Sequence, residues 1–328
     1  MSRVVVVPQR RAYRKCQCGA ALLLAMLTVA LVATFASAAL WQQWRGVEVE
    51  AAERDRLQAG WILTGGLDWA RLILREDGRS GGADHLGEPW AMPLQEARLS
   101  TFLSADSKLM GDERDSFLSG QITDLQSRLN VFNLMDGAKV SLPDQMAFER
   151  LFSQLGLPQQ QVQTMVDNLR QVGVTSDAAP LRPQSIEQLA WLGLPAASVR
   201  ILAPYITLLP ERTTVNINTA SAEVLQASVE GLDVAGAQRI VTARALTPFQ
   251  ALTDARSLLG REDLAFNTAA QGVNSQFFEA VARLRLDNLV VQERSLLQRQ
   301  GMVVTALARR RGVVPGLTDM PELSAALR

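Results

Sequence analysis

The feature that most constrains this chain is a run of 22 residues, from Ala20 to Trp41, that contains no charged side chain. About 20 apolar residues in a helix span the hydrocarbon core of a bilayer, whereas the apolar part of an ordinary export signal has only about 7–15. The run therefore predicts a membrane helix that stays in the protein after export.

The two sides of this run differ in charge. The first nineteen residues contain five basic side chains and no acid, whereas acids follow soon after Trp41, beginning with Glu48 and Glu50. Because basic flanks remain in the cytoplasm, we expect a single-pass protein of the inner membrane whose body lies in the periplasm. Without the first nineteen residues the chain keeps 28 basic and 33 acidic residues, a net charge of about −5 that does not attract nucleic acid or anionic lipid.

Two cleavage sites are consistent with the apolar run. The stretch Gly19-Ala20-Ala21-Leu22-Leu23-Leu24 resembles the processing site of type IV prepilins and type II secretion pseudopilins, in which a membrane peptidase cuts after the Gly and the helix is kept. The resemblance implies that Gly19 is the last leader residue and Ala20 the new N-terminus. The alternative is Ala36-Ser37-Ala38, the small-x-small pattern of ordinary signal peptidase, which would release a soluble periplasmic protein.

Few residues offer enzyme or metal chemistry. Both cysteines, Cys16 and Cys18, lie in the leader, and two thiolates without further Cys or His make only half a zinc site. The one histidine, His85, lies in a Gly-rich stretch from 76 to 89 that predicts a surface loop. Adjacent acids such as Glu262-Asp263 and Asp112-Glu113 do not converge on one substrate. We therefore expect no enzyme activity and assign no catalytic residue, metal ligand or cofactor-binding residue.

Beyond Trp41, the spacing of apolar residues predicts a helix, then a strand, then a block of short helices and finally two further strands. An apolar stripe predicts that the helix continues in amphipathic form, with Gly65-Gly66 marking a bend or a close contact with a sheet. The stripe consists of Leu57, Trp61, Leu67, Ala70 and Leu74. Strands are predicted over residues 120–134, 278–286 and 302–309. Successive short helices, separated by Gly and Pro, are predicted between Gln145 and Leu259. A helical block of about 130 residues is thus inserted between strands of one sheet.

This arrangement resembles the K-type minor pseudopilin family of the bacterial type II secretion system, from Gly19 to about Gly312. The markers are Trp69-Ala70-Arg71, the run Trp90 to Leu94, a strand from Asp124 to Leu134, the run Val215 to Leu225, and Leu296 to Arg299 followed by Met302 to Arg309. The resemblance implies an α+β fold: a pilin-like head, made of a long N-terminal helix and a small antiparallel sheet, with a large inserted all-helical domain.

We place the domain boundaries accordingly. The segments are a prepilin leader at 1–19, a transmembrane helix at 20–41, its amphipathic continuation at 42–75, the first part of the head at 76–140, an inserted helical domain with helix-hairpin-helix-like and SAM-like segments at 141–272, the C-terminal strands of the head at 273–312, and a tail at 313–328. Pro315, Gly316 and Pro321 make that tail a loose extension.

The resemblance also implies a function. It implies a non-enzymatic subunit, cut by prepilin peptidase and methylated, that forms the tip of a periplasmic pseudopilus and limits its length. The implied partners are the I- and J-type minor pseudopilins, the major pseudopilin and the inner-membrane secretion platform. Leu24 stands where most pilins carry a Glu. An apolar residue suits a subunit without a neighbour on that side, because an unpaired buried carboxylate costs several kcal/mol; the alternative is that Leu24 simply faces lipid.

The run Val215 to Leu225, followed by Gly231 to Ile240, also resembles the helix-hairpin-helix modules of membrane-tethered DNA receptors for uptake. Those modules bind phosphate through backbone N–H groups in a Gly-hydrophobic-Gly turn. Here Asp233 takes the place of the second Gly, and Arg239 and Arg244 are too few to form a basic patch. We expect a structural helical pair, with Thr219 or Ser221 as the N-cap of its first helix.

Calcium binding is suggested only by the resemblance, because K-type pseudopilins can carry calcium in the helical domain. The corresponding stretch here, Val172 to Gln184, has Asp177 as its one acid, whereas calcium takes six to eight oxygen ligands. We therefore assign no calcium ligand. At the other end of the chain, Arg309-Arg310-Arg311 is typical of a solvated strand edge that discourages aggregation rather than of a nucleic-acid site.

Overall fold

A computed structural model describes residues 18–98, 116–172, 179–261, 264, 266–286 and 289–314. Helix α1 runs from Cys18 to Ser80. The chain divides into two compact units, residues 1–60 and 61–328. The leader up to residue 17, the acid pairs at 112–113 and 262–263, Asp177 and residues 315–328 lie outside the described residues.

The head is built on a five-stranded antiparallel sheet. Its strands are β1 (Leu94–Arg98), β2 (Ser116–Asp124), β3 (Phe277–Leu286), β4 (Leu289–Gln300) and β5 (Val303–Val314), and they lie side by side in that order. Ile122 lies opposite Ala280, and Phe278 lies opposite Leu297. The α1 residues from Trp61 onward cover one face of this sheet, because Leu67, Ala70 and Leu74 share a buried core with its inward side chains.

Trp90 completes the core of the head. It follows a Pro at the start of a short 3₁₀ helix, Pro89–Ala91, and its ring meets Phe278 edge to face at 5.2 Å between centroids. Its indole N–H donates to Glu88 Oε2 at 2.7 Å, so the buried ring leaves no polar atom unpaired. Trp90, the first residue of the marker run Trp90 to Leu94, therefore has a packing role in the head.

The helical domain is inserted between β2 and β3. Its helices are α2 (Leu142–Gln154), α3 (Gln160–Gln171), a 3₁₀ helix (Ile186–Leu192), α4 (Ala196–Leu202), α5 (Ala222–Ser228), α6 (Val234–Leu246) and α7 (Leu252–Leu259). They enclose a core of their own that includes Phe148, Phe152, Met165, Leu189, Ile217 and Leu225. Two short parallel pairings of two residues each join both ends of this domain to the segment between α4 and α5: Leu129–Asn130 pairs with Ile206–Thr207, and Gln271–Gly272 pairs with Val215–Asn216.

The α+β fold class expected from the sequence is confirmed: a long N-terminal helix, a small antiparallel sheet and an inserted helical domain. Helix termini agree closely with the sequence signals. Asp254, for example, accepts hydrogen bonds from the backbone N–H groups of Gln250 and Ala251 at 2.9 Å, and Gly260 ends α7 with a positive φ of 62°. The domain boundaries themselves remain predictions.

Three details of the sequence prediction are wrong. The strand predicted over 120–134 ends at Asp124, because the Asp124 and Asn130 side chains accept backbone N–H groups two residues ahead and bend the chain into 3₁₀ turns, Leu125–Ser127 and Val131–Leu134. The predicted surface loop at 76–89 begins as the last turn of α1, and its Asp84 is buried. In the apolar stripe, Leu57 and Trp61 are exposed instead of buried.

Strand β4 was not predicted. Its inward positions include Glu293, Ser295 and Arg299, which are polar yet buried, so the alternation of apolar and polar residues that identifies a strand is missing. The prediction also placed the last strand at 302–309, and β5 continues to Val314.

The glycines of α1 mark contacts with the sheet, and α1 continues through them. A Cβ placed on Gly66 would lie 3.6 Å from Ala282 Cβ, an ordinary contact, so of the two predicted roles for Gly65-Gly66 the close contact with the sheet is confirmed. Further along the helix, a Cβ on Gly78 would overlap the carbonyl oxygen of Gly301 in the β4–β5 turn. Gly78 is thus the closest approach of the helix backbone to the hairpin.

Two glycine substitutions on the same helix should therefore act in opposite directions. Gly78→Ala should lower the free energy of unfolding by about 1–3 kcal/mol, because the methyl group forces the helix away from the hairpin. Gly65→Ala should raise it by about 0.5–1 kcal/mol, since a Cβ there meets no atom within 4 Å and alanine favours helix. Denaturant unfolding in detergent, followed by tryptophan fluorescence, measures both. Equal effects of the two variants would contradict the contact.

Candidate functional site

The first candidate site is the charge-free part of α1. Its residues from Ala20 to Trp41 are all exposed and apolar or small, and α1 is the one helix among the described residues that is long and apolar enough to cross a membrane. Gly19 and Ala20 lie in the first turn of the helix, and Leu24 has 65% of its surface exposed. The predicted membrane anchor therefore has the required length, composition and exposure for contact with lipid.

Aromatic side chains follow directly after the charge-free run. Trp41 and Trp44 are both exposed, and their ring centroids lie 5.4 Å apart. Tryptophan is enriched where a membrane helix leaves the hydrocarbon, because the ring is apolar and its N–H needs a polar partner. The pair is consistent with a membrane boundary near residue 41, where the sequence analysis ends the span.

The second candidate site is a buried polar cluster in the head, here called the polar junction: Asp77, Asp84, Asp124, Asn216, Thr219, Ser275 and Arg299. These residues come from the end of α1, the following loop, the ends of β2 and β4, the segment between α4 and α5 of the helical domain, and the segment that leads from that domain into β3. All of them except Asp77 are buried, and Asp77 is half-buried. The junction therefore connects helix, sheet and inserted domain.

Arg299 is the cation of the polar junction. Its guanidinium forms ion pairs with Asp77 and Asp84 and donates to the carbonyl of Ser275 at 2.9 Å. It also stacks over Phe278, with 4.9 Å between Cζ and the ring centroid. Although burial lowers the pKa of Arg299, its bonds and charge interactions with Asp84 and Asp77 raise it above the usual value, so the guanidinium remains charged.

Asp124 receives four hydrogen bonds. The Thr219 and Ser275 hydroxyls donate to its Oδ2, both at 2.6 Å, and Asn216 Nδ2 lies 3.2 Å from the same oxygen. The backbone N–H of Gln126 donates to Oδ1 at 2.7 Å. One carboxylate thus connects the end of the head strand β2 to residues 216–219 of the helical domain, between α4 and α5, and to Ser275, where the chain leaves that domain for β3.

Burial raises the pKa of Asp124 to about 6 from its ordinary value of 3.8, and the bonds from Ser275, Thr219 and Gln126 oppose this rise only in part. The protonated form can also be accommodated. Thr219 Oγ1 lies 3.4 Å from the carbonyl of Asn216, so its O–H can turn to donate there while its oxygen accepts a hydrogen bond from the protonated Asp124 carboxyl. Asp124 therefore titrates within the range of pH that cells and their envelopes experience.

The cleft beside the polar junction does not suit calcium. It has a volume of about 520 Å³ and brings the carboxylates of Asp77, Asp84 and Glu88 within 4.8 Å of one another. Arg299 already pairs with Asp77 and Asp84, and Glu88 accepts from Trp90 and from the N–H of His85. A guanidinium inside the group repels a divalent ion and takes the oxygens that calcium would need.

The structure also locates the other predicted residues. His85 is half-buried rather than exposed, and its Nδ1 accepts from the N–H of Gly87 at 3.1 Å. Ser221 is the N-cap of α5, with its Oγ 3.4 Å from the N–H of Val224, so the alternative of Thr219 as cap is wrong. The Thr219 hydroxyl belongs to the polar junction instead.

In the helix-hairpin-helix-like segment, Asp233 is the N-cap of α6. Its Oδ1 accepts from the N–H of Gly236 at 2.7 Å, so the carboxylate already occupies the position where a phosphate would bind. Arg244 is buried, where it donates to the carbonyl of Ile217 at 2.7 Å, and burial lowers its pKa to about 10. Arg239 is exposed but donates to the carbonyl of Leu258.

Comparison with known proteins agrees with this architecture. The family model described as "Type II secretion system (T2SS), protein K" matches residues 215–274. A type II secretion system protein K of Pseudomonas aeruginosa is 29% identical over 324 residues, covering 90% of each chain. That of Klebsiella pneumoniae is 29% identical over 332 residues, covering 90% of this chain and 97% of its own.

A solved structure shares the fold. It is the crystal structure of the GspK-GspI-GspJ complex from the type 2 secretion system of enterotoxigenic Escherichia coli. It aligns with a TM-score of 0.60 and 18% identity, covering 80% of this chain and 98% of the matched chain.

The fold and the charge-free helix define an architecture: a long N-terminal helix with an apolar span of membrane length, a small antiparallel sheet and an inserted helical domain. The resemblance of this chain to type II secretion system protein K is confirmed by the family match over residues 215–274 and by the relatives along nine-tenths of its length. The names of these relatives are those of secretion-system components.

The polar junction gives the stability of the head a specific pH dependence. Because folded Asp124 has a pKa of about 6 and the unfolded residue about 3.8, its protonation stabilises the fold fully below pH 3.8, and this contribution is lost as the pH rises through 6. Between pH 4 and 7 the free energy of unfolding should fall by about 2 kcal/mol from this group.

Denaturant unfolding at several pH values measures this slope. Asp124→Asn should remove most of this slope, whereas Asp136→Asn, at an exposed acid between β2 and α2, should preserve it. A wild-type slope that Asp124→Asn leaves unchanged would contradict the assignment.

Proposed function

We propose that the protein is a minor pseudopilin of the type II secretion system. It forms the tip of the periplasmic pseudopilus with other minor pseudopilins, initiates assembly, limits its length and thereby supports protein secretion across the outer membrane. The observation that carries this proposal is the architecture: a charge-free anchor continuous with the spine of a head that one large helical domain interrupts, in a chain that aligns with secretion-system K proteins over nine-tenths of its length.

Processing and orientation belong to the same proposal. Prepilin peptidase cuts between Gly19 and Ala20, the leader remains in the cytoplasm, and the body lies in the periplasm, held by a single helix in the inner membrane. The exposure of Leu24 supports a position at a filament end, because no carboxylate is present there to pair with the amino terminus of a neighbour.

The inserted domain supports the limit on length. It adds its own core at the end of β2, on a head that otherwise needs only a helix and five strands. A domain of this size cannot lie within a close-packed row of pilin heads, so a subunit that carries it ends the row. The role is mechanical, and the proposal includes no enzyme activity.

The alternative function, a membrane-tethered DNA receptor, has less support. The cap that Asp233 forms on α6 and the burial of Arg244 leave the helix-hairpin-helix-like turn without the free N–H groups and cations that phosphate needs. No observation on the described residues favours nucleic acid as a partner.

The face of α1 opposite the head core is a surface for partner helices. Trp61, Trp69 and Leu72 lie on it, with 77%, 48% and 48% of their surfaces exposed. Gly65 lies between the two tryptophans and leaves space for a side chain of another helix. The solved relative was crystallised with GspI and GspJ, which supports I- and J-type pseudopilins as the occupants.

Co-purification from cells that make the I- and J-type partners tests this function. Trp61→Ala combined with Leu72→Ala should reduce the recovered partners roughly ten-fold, because large apolar side chains at the centre of an interface carry most of its binding energy. Leu246→Ala, at an equally exposed apolar residue of α6, should leave recovery unchanged. Equal recovery with all variants, or recovery of duplex DNA instead, would refute the proposal.

A further inference from the structure

Strand β5 is an open edge of the sheet. Over its whole length, from Val303 to Val314, it pairs with β4, and no other strand among the described residues pairs with its outer side. The opposite edge, β1, has only five residues and an irregular register. An edge of twelve residues presents a row of backbone N–H and C=O groups that can pair with another extended chain.

Most of this edge is accessible. From Thr305 to Gly312 every residue is exposed except Ala306, which is half-buried. Near the β4–β5 turn a backbone group of this edge is already hydrogen-bonded, because the Arg71 guanidinium donates to the carbonyl of Val304 at 3.0 and 3.1 Å. A segment of about eight residues is therefore left for a further strand.

Three consecutive arginines give the open edge its charge. Arg309, Arg310 and Arg311 lie opposite Ser295, Arg294 and Glu293 of β4. Since Glu293 and Ser295 lie on the buried face, Arg309 and Arg311 are on the α1 side of the sheet and Arg310 is on the other side. Both sides of the edge are thus basic, on an exported body whose net charge is about −5.

Two of the three arginines are held in place. Arg311 Nε donates to Glu293 Oε2 at 2.7 Å, and Glu293 is almost fully buried, which fixes the direction of the side chain. Arg310 hydrogen-bonds to the carbonyl of Gln184 in the helical domain. Ordering these long side chains in advance lowers the entropy that a partner must overcome.

The positive charge of the arginines determines which extended chain can pair with the open edge of β5. Two copies of β5 brought edge to edge would bring arginines close to arginines, which is unfavourable, so the edge rejects a second copy of the protein. An extended segment with acids at consecutive positions would meet cations on both faces while its backbone completes the ladder.

We propose that β5 is a docking edge for an extended acidic segment of a partner protein, which adds to the sheet as a sixth strand beside Arg309 and Arg310. This goes beyond the helix contacts of the proposed function. It assigns to the arginine run a selective role in addition to the prevention of aggregation.

Fluorescence anisotropy with the full-length chain in detergent micelles tests binding. The probe is a labelled nine-residue peptide with three consecutive acids flanked by alternating threonine and valine. The matched control peptide has glutamine in place of the three acids. The acidic peptide should bind at least about ten-fold more tightly than the glutamine peptide. Equal binding, or no binding of either, would overturn the proposal.

Charge reversal locates the binding. Arg309→Glu, alone and together with Arg310→Glu, should weaken binding of the acidic peptide roughly ten-fold or more. Arg200→Glu with Arg256→Glu, at exposed arginines of α4 and α7, is the matched control and should bind as the wild type does. Because Arg309→Glu leaves the bond from Arg310 to Gln184 intact, it separates loss of docking from loss of folding.

Hydrogen exchange distinguishes strand addition from simple attraction of charges. With the acidic peptide bound, backbone amides within residues 305–312 should exchange more slowly, while those of α4 should not change. Tight binding without protection of β5 would overturn the proposal, because it would mean that the peptide associates with the arginines without joining the sheet.

Discussion

A single helix that begins in a charge-free run and ends in the core of the head is the constraint on which this structure depends. The 22 residues from Ala20 to Trp41 carry no charge and are exposed, so the run favours a membrane or a partner over water. Leu63, Leu67 and Leu74 of the same helix are buried in the body. The charge-free part of α1 thus continues, within one helix, into the part that packs on the sheet.

Arg299 and Asp124 connect that helix to the remainder of the body. Arg299 joins the last turns of α1 and the loop after it to β4, and Asp124 joins β2 to the segment between α4 and α5 of the inserted domain and to the segment that leaves this domain. The buried ion pairs of Arg299 with Asp77 and Asp84 need not add much net stability, because the cost of desolvation offsets their attraction. Loss of one partner, however, leaves an uncompensated buried charge. They therefore specify where the inserted domain attaches more than they strengthen the fold.

The sequence predicted those parts of the fold that local patterns determine. The anchor, the helices of the inserted domain and strands β3 and β5 follow from runs and periods within each segment. Strand β4 and the turns after Asp124 do not, because polar side chains there are satisfied by residues distant in the chain: Arg299 binds Asp77 and Asp84 more than 200 positions away. For the same reason the polar junction was not predicted, whereas the Gly19, Ala20 and Leu24 pattern can be recognised within six residues. The one signal in the sequence that could have indicated the polar junction was Arg299, a charged residue two positions after the buried Leu297.

The account therefore requires that the charge-free helix remain attached to a body that folds in the periplasm, and that the chain be trimmed only at the inner end of that helix. Intact-mass spectrometry of the protein purified from cells that contain its prepilin peptidase measures both. The predicted result is a polypeptide from the membrane fraction that begins at Ala20. A soluble polypeptide that begins at Ala39 would contradict the account, because the helix would then be a discarded export signal.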